Sequence, residues 1–270
     1  MAEALPVAVG LKTSDKVQLA PAASEVLQVL VEIEKSLALV PEKVYELTEI
    51  AVALGRDSDG LRVNRPTEKI VIRDSIVRRG AAAITIGSET SGGFRNIEVY
   101  NITALSGVPS GVLFKSARTR GGFARNIRIH DLILEGVAIP IHITMNWNPS
   151  YSYATLPADA KDVPRYWVVL TTHVPEDKGL PHFARVHIWK IKATGAKQAF
   201  NVSAYPNAPL EDFHLDHLDI AAATAGTIAN VHNWRLADNN IRTLDGSKPV
   251  LVNAVVQPDT DVPFGEPKRP

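Results

Sequence analysis

The chain contains no cysteine, which excludes disulfide bonds and every site built on a thiolate. Acidic and basic residues number 29 each, so a net charge of zero indicates neither nucleic acid nor an anionic membrane as a partner. No apolar run approaches the roughly 18 residues of a membrane-spanning helix. The first residues, Met-Ala-Glu-Ala-Leu-Pro, lack the basic and apolar regions of a secretory signal. Composition therefore leaves the function to be inferred from the order of the residues.

A short glycine motif occurs twice and gives the clearest indication of the fold. Ser91-Gly92-Gly93-Phe94-Arg95-Asn96-Ile97 is repeated in its core by Arg120-Gly121-Gly122-Phe123-Ala124-Arg125-Asn126-Ile127, and the Gly-Gly pairs begin 29 residues apart, at positions 92 and 121. Each copy leads into a short segment of alternating apolar residues. A period of this length is typical of stacked units that bury one face against their neighbours.

Other alternating segments extend the repeat in both directions. One series comprises residues 70–74, 97–101, 127–131, 186–190 and 213–217, and a second comprises 84–88, 112–116 and 141–143. Alternation with period two, rich in Val, Ile and Thr, favours strands over helices. The pattern predicts an all-β chain folded as a right-handed parallel β-helix, a pectin-lyase-like solenoid of about six or seven rungs. Asn96 and Asn126 are expected to form an internal side-chain ladder.

The repeat defines the expected boundaries. Residues 1–45 do not share it and are predicted to cap the open end of the core, 46–250 form the solenoid, and 251–270 form a tail. The cap is expected to be a helix near residues 24–38, with Ser24 as its N-cap, although an additional β-rung fits the same apolar pattern. Residues 146–182 interrupt the repeat and are rich in proline and aromatic residues. Their rings are suited either to stacking on sugars or to anchoring the loop.

Four segments resemble the polygalacturonase-type glycoside hydrolases of family 28, in particular the bacterial branch. They are Gly60–Glu68, Ile84–Gly93, Phe114–Gly122 and Asn146–Tyr153, and the resemblance covers roughly residues 50–245. It implies a parallel β-helix that acts on pectin-like acidic polysaccharide without a cofactor. The chain would correspond to the C-terminal part of the family's β-helix, with the N-terminal part missing or replaced. Family members are commonly exported, so the compartment stays open.

The resemblance also implies which catalytic groups to expect. The family uses a pair of aspartates in a Gly-Asp-Asp motif, a nearby histidine, and an Arg-x-Lys motif that holds substrate carboxylates. Alignment on residues 50–52 and on Gly55 places Leu47 and Thr48 at the two aspartate positions. Ala81 stands at the histidine position and Leu113 at the arginine position, so only Lys115 of these groups is retained.

Other residues are candidates to replace the missing groups. Glu46 and Glu49 flank the substituted pair and could supply a carboxyl group, although charges at a solvated strand edge are the simpler interpretation. The substrate-binding candidates are Lys115, Arg118, Arg120, Trp147 and Tyr151. The cations would attract galacturonate carboxylates and the rings would stack on sugar faces. His214-x-x-His217 is too weak a pattern to indicate a metal, so no metal site is predicted.

Two hypotheses follow. The first is a polygalacturonase-like glycoside hydrolase descendant with weak or no hydrolytic activity, because both aspartate positions are substituted. The second is a catalytically dead β-helix, either a truncated or engineered scaffold or a carbohydrate-binding module. In both, an acidic polysaccharide or oligosaccharide is the expected partner, and neither nucleic acid nor a membrane is. Whether the chain is an enzyme, and its oligomeric state, stay open at this point.

Overall fold

The computed structural model describes residues 46–47, 51–52, 65–147, 156, 158–164, 168 and 175–257. The whole of the 1–45 segment, including the predicted capping helix at 24–38, lies outside these residues. The described part contains twelve strands in one sheet and a single short helix, α1. None of its helices is long and apolar enough to cross a membrane. The elements in chain order are β1 (Glu46–Leu47), β2 (Ala51–Val52), β3 (Thr67–Val77), β4 (Ala82–Ile86), β5 (Phe94–Ala104), β6 (Ser110–Lys115), β7 (Phe123–Glu135), β8 (Ile139–Thr144), α1 (Glu176–Gly179), β9 (His182–Ser203), β10 (Leu210–Ala237), β11 (Asn240–Thr243) and β12 (Val250–Gln257).

Every pairing between these strands is parallel, and the order is that of a coil. One series runs β1, β3, β5, β7, β9 and β10, and a second runs β2, β4, β6, β8 and β9. The registers bring Ile70, Ile97, Ile127, Val186 and Phe213 into one ladder. The predicted stacking of the five segments is therefore confirmed. The chain is an all-β parallel β-helix, as the repeat predicted.

The second predicted strand series is confirmed as well. Ile84, Val112 and Ile141 pair in sequence through β4, β6 and β8. The ladder then passes from Ile141 directly to Phe200, as the other ladder passes from Ile127 to Val186. The predicted insertion at 146–182 therefore falls between two stacked rungs, after the end of β8, and the coil resumes at His182, the first residue of β9.

The apolar core fills the coil with one row of side chains from each ladder. Inward-facing residues on the short segments are buried while their neighbours in sequence face outward. The ring of Phe114 meets those of Phe183 and Phe213 edge to face, and Phe213 stacks on Trp234 at 4.8 Å. Each fully buried side chain of this size contributes about 1.5–3 kcal/mol to stability.

Two columns of bends turn the chain at each rung. Asn96 and Asn126 have φ of 57° and 56°, and Asn101 and Asp131, five residues further on, have φ of 54° and 53°. Asn and Asp tolerate this left-handed conformation better than most residues. The prediction that Asn96 and Asn126 form an internal ladder is wrong in location. Asn126 donates to Asn96 at 3.2 Å, but both side chains are exposed, because the left-handed bend turns them away from the core.

The solenoid continues past the expected start of the tail. Residues 251–257 belong to β12, which pairs in parallel with β10 from Val250 to Gln257. Residues 258–270 lie outside the described part.

Burial of His142 on β8 gives the fold a pH-dependent component. Burial lowers the pKa of the imidazole below its ordinary value, while its Nδ1 lies 2.9 Å from the hydroxyl of Ser110. The unfolded chain then binds a proton at a higher pH than the folded chain, so stability falls as the pH drops below about 6.5 and continues to fall until the lower folded pKa is reached. We expect the free energy of unfolding to decrease when the pH is lowered from about 7 to about 5. The decrease should be smaller in His142→Gln than in the unmodified chain, because the variant lacks the buried imidazole. Urea unfolding at both pH values measures this, and equal decreases in the two proteins would contradict it.

Candidate functional site

The retained lysine lies at the edge where the insertion leaves the coil. Lys115 is the last residue of β6 and pairs with Thr144, the last residue of β8. The backbone N–H of Trp147 donates to the carbonyl of Ser116 at 2.8 Å, which holds the indole beside the lysine. The Nζ atom of Lys115 lies 4.6 Å from the centroid of the Trp147 ring. This is a cation–π arrangement, and both side chains are partly exposed.

A second ring and a second cation adjoin this pair. Tyr205 follows β9 and its hydroxyl donates to the Oδ1 of Asn146 at 3.1 Å. The guanidinium carbon of Arg118 lies 5.8 Å from the Tyr205 ring. Burial raises the pKa of the Tyr205 phenol above its ordinary value, and the backbone and charge of Arg118 oppose that rise only in part. The phenol is therefore a neutral hydrogen-bonding group at physiological pH.

These contacts join into one surface, called the Lys115 patch. Its members lie at or just after the C-terminal ends of three strands that pair in order, β6, β8 and β9. They combine two cations, two aromatic rings and an amide: Lys115, Arg118, Asn146, Trp147 and Tyr205. Of the sequence candidates, the structure brings Lys115, Arg118 and Trp147 together at this edge. Tyr205 was missed by sequence reasoning. The signal for it is its position 59 residues after Asn146, which is the same offset that joins β8 to β9.

Arg120 does not belong to this surface. Only 1% of its side chain is exposed, and its NH1 atom lies 3.3 Å from the Oε1 of Glu89. Glu89 precedes a glycine motif, a position that is typical of a turn residue. Its carboxylate forms an ion pair with the buried guanidinium of Arg120. The ion pair joins the segments around the two glycine motifs on adjacent rungs. Arg120 therefore stabilises the fold and does not form part of the Lys115 patch.

The remaining candidates have less structural context. Glu46 begins β1 opposite Ile76, and Leu47 pairs with Val77, so the substituted segment enters the ladder beside β3. Glu49 and Tyr151 lie outside the described residues. A carboxyl group that replaces the family's aspartates therefore stays a prediction.

A second cluster of polar side chains lies on the outward face of the other ladder. The rings of Tyr100, His130 and Trp189 stack in order, with centroids 5.1 Å and 4.1 Å apart. His187 stacks on Trp189 and on His214, and both histidines approach Asp216. Burial acts to raise the pKa of Asp216, but the hydrogen bond and charge of His187, with smaller effects of the neighbouring histidines, outweigh it and hold the pKa below its ordinary value. Sequence reasoning missed this cluster because His187 and Asp216 meet only once the register of β9 and β10 is known.

Comparison with known proteins points to one group of enzymes. No family model matches the chain. A probable polygalacturonase of Vitis vinifera is 29% identical over 99 residues, which are 36% of this chain and 20% of the relative. The crystal structure of a hyperthermoactive exopolygalacturonase from Thermotoga maritima superposes with a TM-score of 0.50 at 23% identity, over 76% of this chain and 38% of that protein.

The chain thus spans a fifth of the length of the plant relative and 38% of the length of the bacterial enzyme. The structural likeness agrees with the parallel ladders of this chain, and the sequence likeness points to the same group of proteins. Over the 76% of its length that superposes on the bacterial enzyme, the chain has the fold of a polygalacturonase-type glycoside hydrolase.

Proposed function

We propose that this polygalacturonase-like chain binds acidic polysaccharide of the galacturonate type at the Lys115 patch and hydrolyses it weakly or not at all. The observation that carries the proposal is the pairing of two cations with two aromatic rings along one rung edge. The likeness to two polygalacturonases supports the choice of ligand.

The patch matches the two chemical features of a galacturonate residue. The sugar ring presents C–H groups that pack on the face of Trp147 or Tyr205, and its carboxylate requires a cation within reach. Lys115 and Arg118 lie beside those two rings, so stacking and charge pairing act on the same sugar. Asn146 is exposed and accepts from the Tyr205 hydroxyl through its Oδ1 atom, so its amide nitrogen can donate to hydroxyl groups of the sugar.

The proposed loss of hydrolysis rests on residue types. Glycoside hydrolysis requires one carboxyl group to protonate the leaving oxygen and a second to activate water or attack the sugar. Leu47 has no titratable group, and the hydroxyl of Thr48 is a poor acid or base at neutral pH. The residues at these two positions therefore favour binding over catalysis.

We expect Lys115→Ala to weaken the binding of oligogalacturonate by about 2–5-fold, because an exposed charge pair contributes up to about 1 kcal/mol. The unmodified chain should bind with a dissociation constant near the millimolar range, and its affinity should fall as salt is added. Titration followed by NMR or calorimetry measures both effects. Lys192→Ala, which removes an exposed lysine on β9 away from the patch, is the matched control and should bind as the unmodified chain does.

A second variant separates charge from stacking. Trp147→Ala should weaken the binding of both acidic and neutral oligosaccharide, whereas Lys115→Ala should affect only the acidic ligand. Equal affinity of all variants for oligogalacturonate, or a preference of the unmodified chain for neutral sugar, would contradict the proposal.

A further inference from the structure

The short strand segments between the two columns of bends present a second surface that is independent of the Lys115 patch. In each segment two residues point into the core and the two that alternate with them point outward. His187 on β9 pairs in register with His214 on β10, and Asp216 follows His214 by two residues. All three side chains therefore lie on the same outward face, on adjacent strands that are held about 4.8 Å apart.

The three side chains converge on one point. The Nε2 atom of His187 lies 2.9 Å from the Oδ2 atom of Asp216, and the Nε2 atom of His214 lies 3.3 Å from the same oxygen. The ligand atoms of all three residues lie within 4.8 Å of one another. A tetrahedral zinc ion with ligands at about 2.0–2.2 Å keeps neighbouring ligand atoms about 3.3–3.6 Å apart. The rings of His187 and His214 are stacked at an interplanar angle of 5°, so they must tilt toward each other for both nitrogens to face one ion.

Neighbouring groups hold the three side chains in place. His187 is stacked between the ring of Trp189 at 4.1 Å and the ring of His214 at 4.6 Å. The Nδ1 atom of His217 lies 3.2 Å from the other carboxylate oxygen of Asp216, Oδ1, and thereby orients Oδ2 toward the two imidazoles. Hydrogen bonds of this kind to a carboxylate ligand fix its rotamer and raise the affinity of metal sites.

The surroundings also suit an ion. The side chains of His187, His214 and Asp216 are 17%, 8% and 13% exposed, so they are largely immobilised yet reachable by solvent at one side. Little side-chain entropy remains to be lost when a ligand binds. Two imidazoles and one carboxylate are the donors that Zn²⁺ and its neighbours in the transition series prefer, whereas Ca²⁺ and Mg²⁺ prefer sites made of oxygen alone.

We propose that His187, His214 and Asp216 bind a divalent transition-metal ion, with Zn²⁺ as the preferred ion and solvent as its remaining ligand. The ion joins β9 to β10, because His187 belongs to the first strand and the other two ligands to the second. Its effect is structural: a metal that binds the folded chain alone stabilises the stacking of these two rungs. Nothing in this proposal depends on the binding of polysaccharide.

The first test is a titration of tag-free, EDTA-treated full-length protein with ZnCl₂ at neutral pH. We expect one zinc per chain with a micromolar or tighter dissociation constant, and a rise in melting temperature of roughly 5–10 °C at about a hundredfold excess over that constant. CaCl₂ and MgCl₂ should give no rise. Binding of Co²⁺ should produce visible absorption bands of the intensity typical of tetrahedral coordination, a readout that a nonspecific surface site does not give.

The second test uses variants, with circular dichroism to verify the fold. His187→Gln should weaken zinc binding at least tenfold and abolish the temperature shift, and Asp216→Asn should do the same. His232→Gln, which alters an exposed histidine elsewhere on β10, is the matched control and should bind zinc normally. His217→Gln should weaken binding by about 10-fold or more through the loss of its contact with Asp216, while the Co²⁺ spectrum keeps its shape.

The decisive comparison uses His187→Gln, because its histidine is the more exposed of the pair and its replacement disturbs the core least. Zinc binding that is lost in His187→Gln and kept in His232→Gln supports the site. Absence of zinc binding by the unmodified protein, or equal zinc affinity of the two variants, overturns it.

Discussion

Hydrolysis of polygalacturonate by this chain is expected to be at least about 10³-fold slower than hydrolysis by an active polygalacturonase under the same conditions. A positioned general acid or base contributes about 10²–10⁴-fold to such a reaction, and the two aspartate positions of the family hold Leu47 and Thr48 in this chain. Release of reducing sugar from polygalacturonate, followed over hours with the bacterial exopolygalacturonase as reference, measures the difference.

Two variants identify any replacement for the missing carboxyl groups. Glu49→Gln and Glu46→Gln should leave the residual rate of hydrolysis unchanged. Both glutamates are expected to be solvated charges at a strand edge, and such charges take no part in the reaction. Rapid hydrolysis by the unmodified chain that disappears in Glu49→Gln would show that this glutamate acts as the acid. Binding and catalysis are measured separately. The expected combination is weak binding of oligogalacturonate that is reduced in Lys115→Ala, without measurable turnover by the unmodified chain.

The course of the chain was predictable from the sequence because the repeat carries its own register. Ile97 and Ile127 occupy the same place in two copies of the glycine motif, and strands that stack in parallel keep equivalent residues side by side. The interruption at 146–182 was predictable for the same reason, since Val186 resumes the pattern two units after Ile127. Period and alternation thus specify both the ladder and the position where the chain leaves it.

The outward surface was less predictable, because the repeat describes only what faces the core. Arg120 reads as a surface cation, yet it is buried in an ion pair with Glu89 on the preceding rung. Tyr205 was not among the residues predicted from the sequence, yet it completes the Lys115 patch through Asn146. Both contacts join residues of different rungs, and which side chains meet depends on the bends as well as on the period.

Gly122→Ala is expected to lower the free energy of unfolding by about 3–5 kcal/mol, a large loss for the addition of one methyl group. Gly122 has φ of 74°, and an added Cβ would lie 1.8 Å from the carbonyl oxygen of Thr90 and 2.9 Å from the Cα of Ser91. These are backbone atoms of the preceding rung, so no side chain can rotate away to make room.

The neighbouring contacts prevent the rung from moving aside. The hydroxyl of Thr90 donates to the carbonyl of Gly121 at 2.7 Å, and the carbonyl of Thr90 accepts from the N–H of Gly93 at 2.8 Å. The two copies of the glycine motif are thus bonded to each other where the methyl group would enter. The close approach of their backbones explains why the motif requires glycine in the second copy.

Gly246→Ala separates crowding from backbone strain. Gly246 has φ of 71°, nearly the same as Gly122, and nothing lies within 4 Å of an added Cβ. Its replacement should therefore cost only the left-handed conformation of alanine, about 1–2 kcal/mol. Urea unfolding of both variants, compared at the midpoint, measures the difference, which is the cost of forcing two rungs apart. Equal losses in the two variants would mean that Gly122 is required for its backbone conformation alone, and that the rungs at the repeated motif are able to separate.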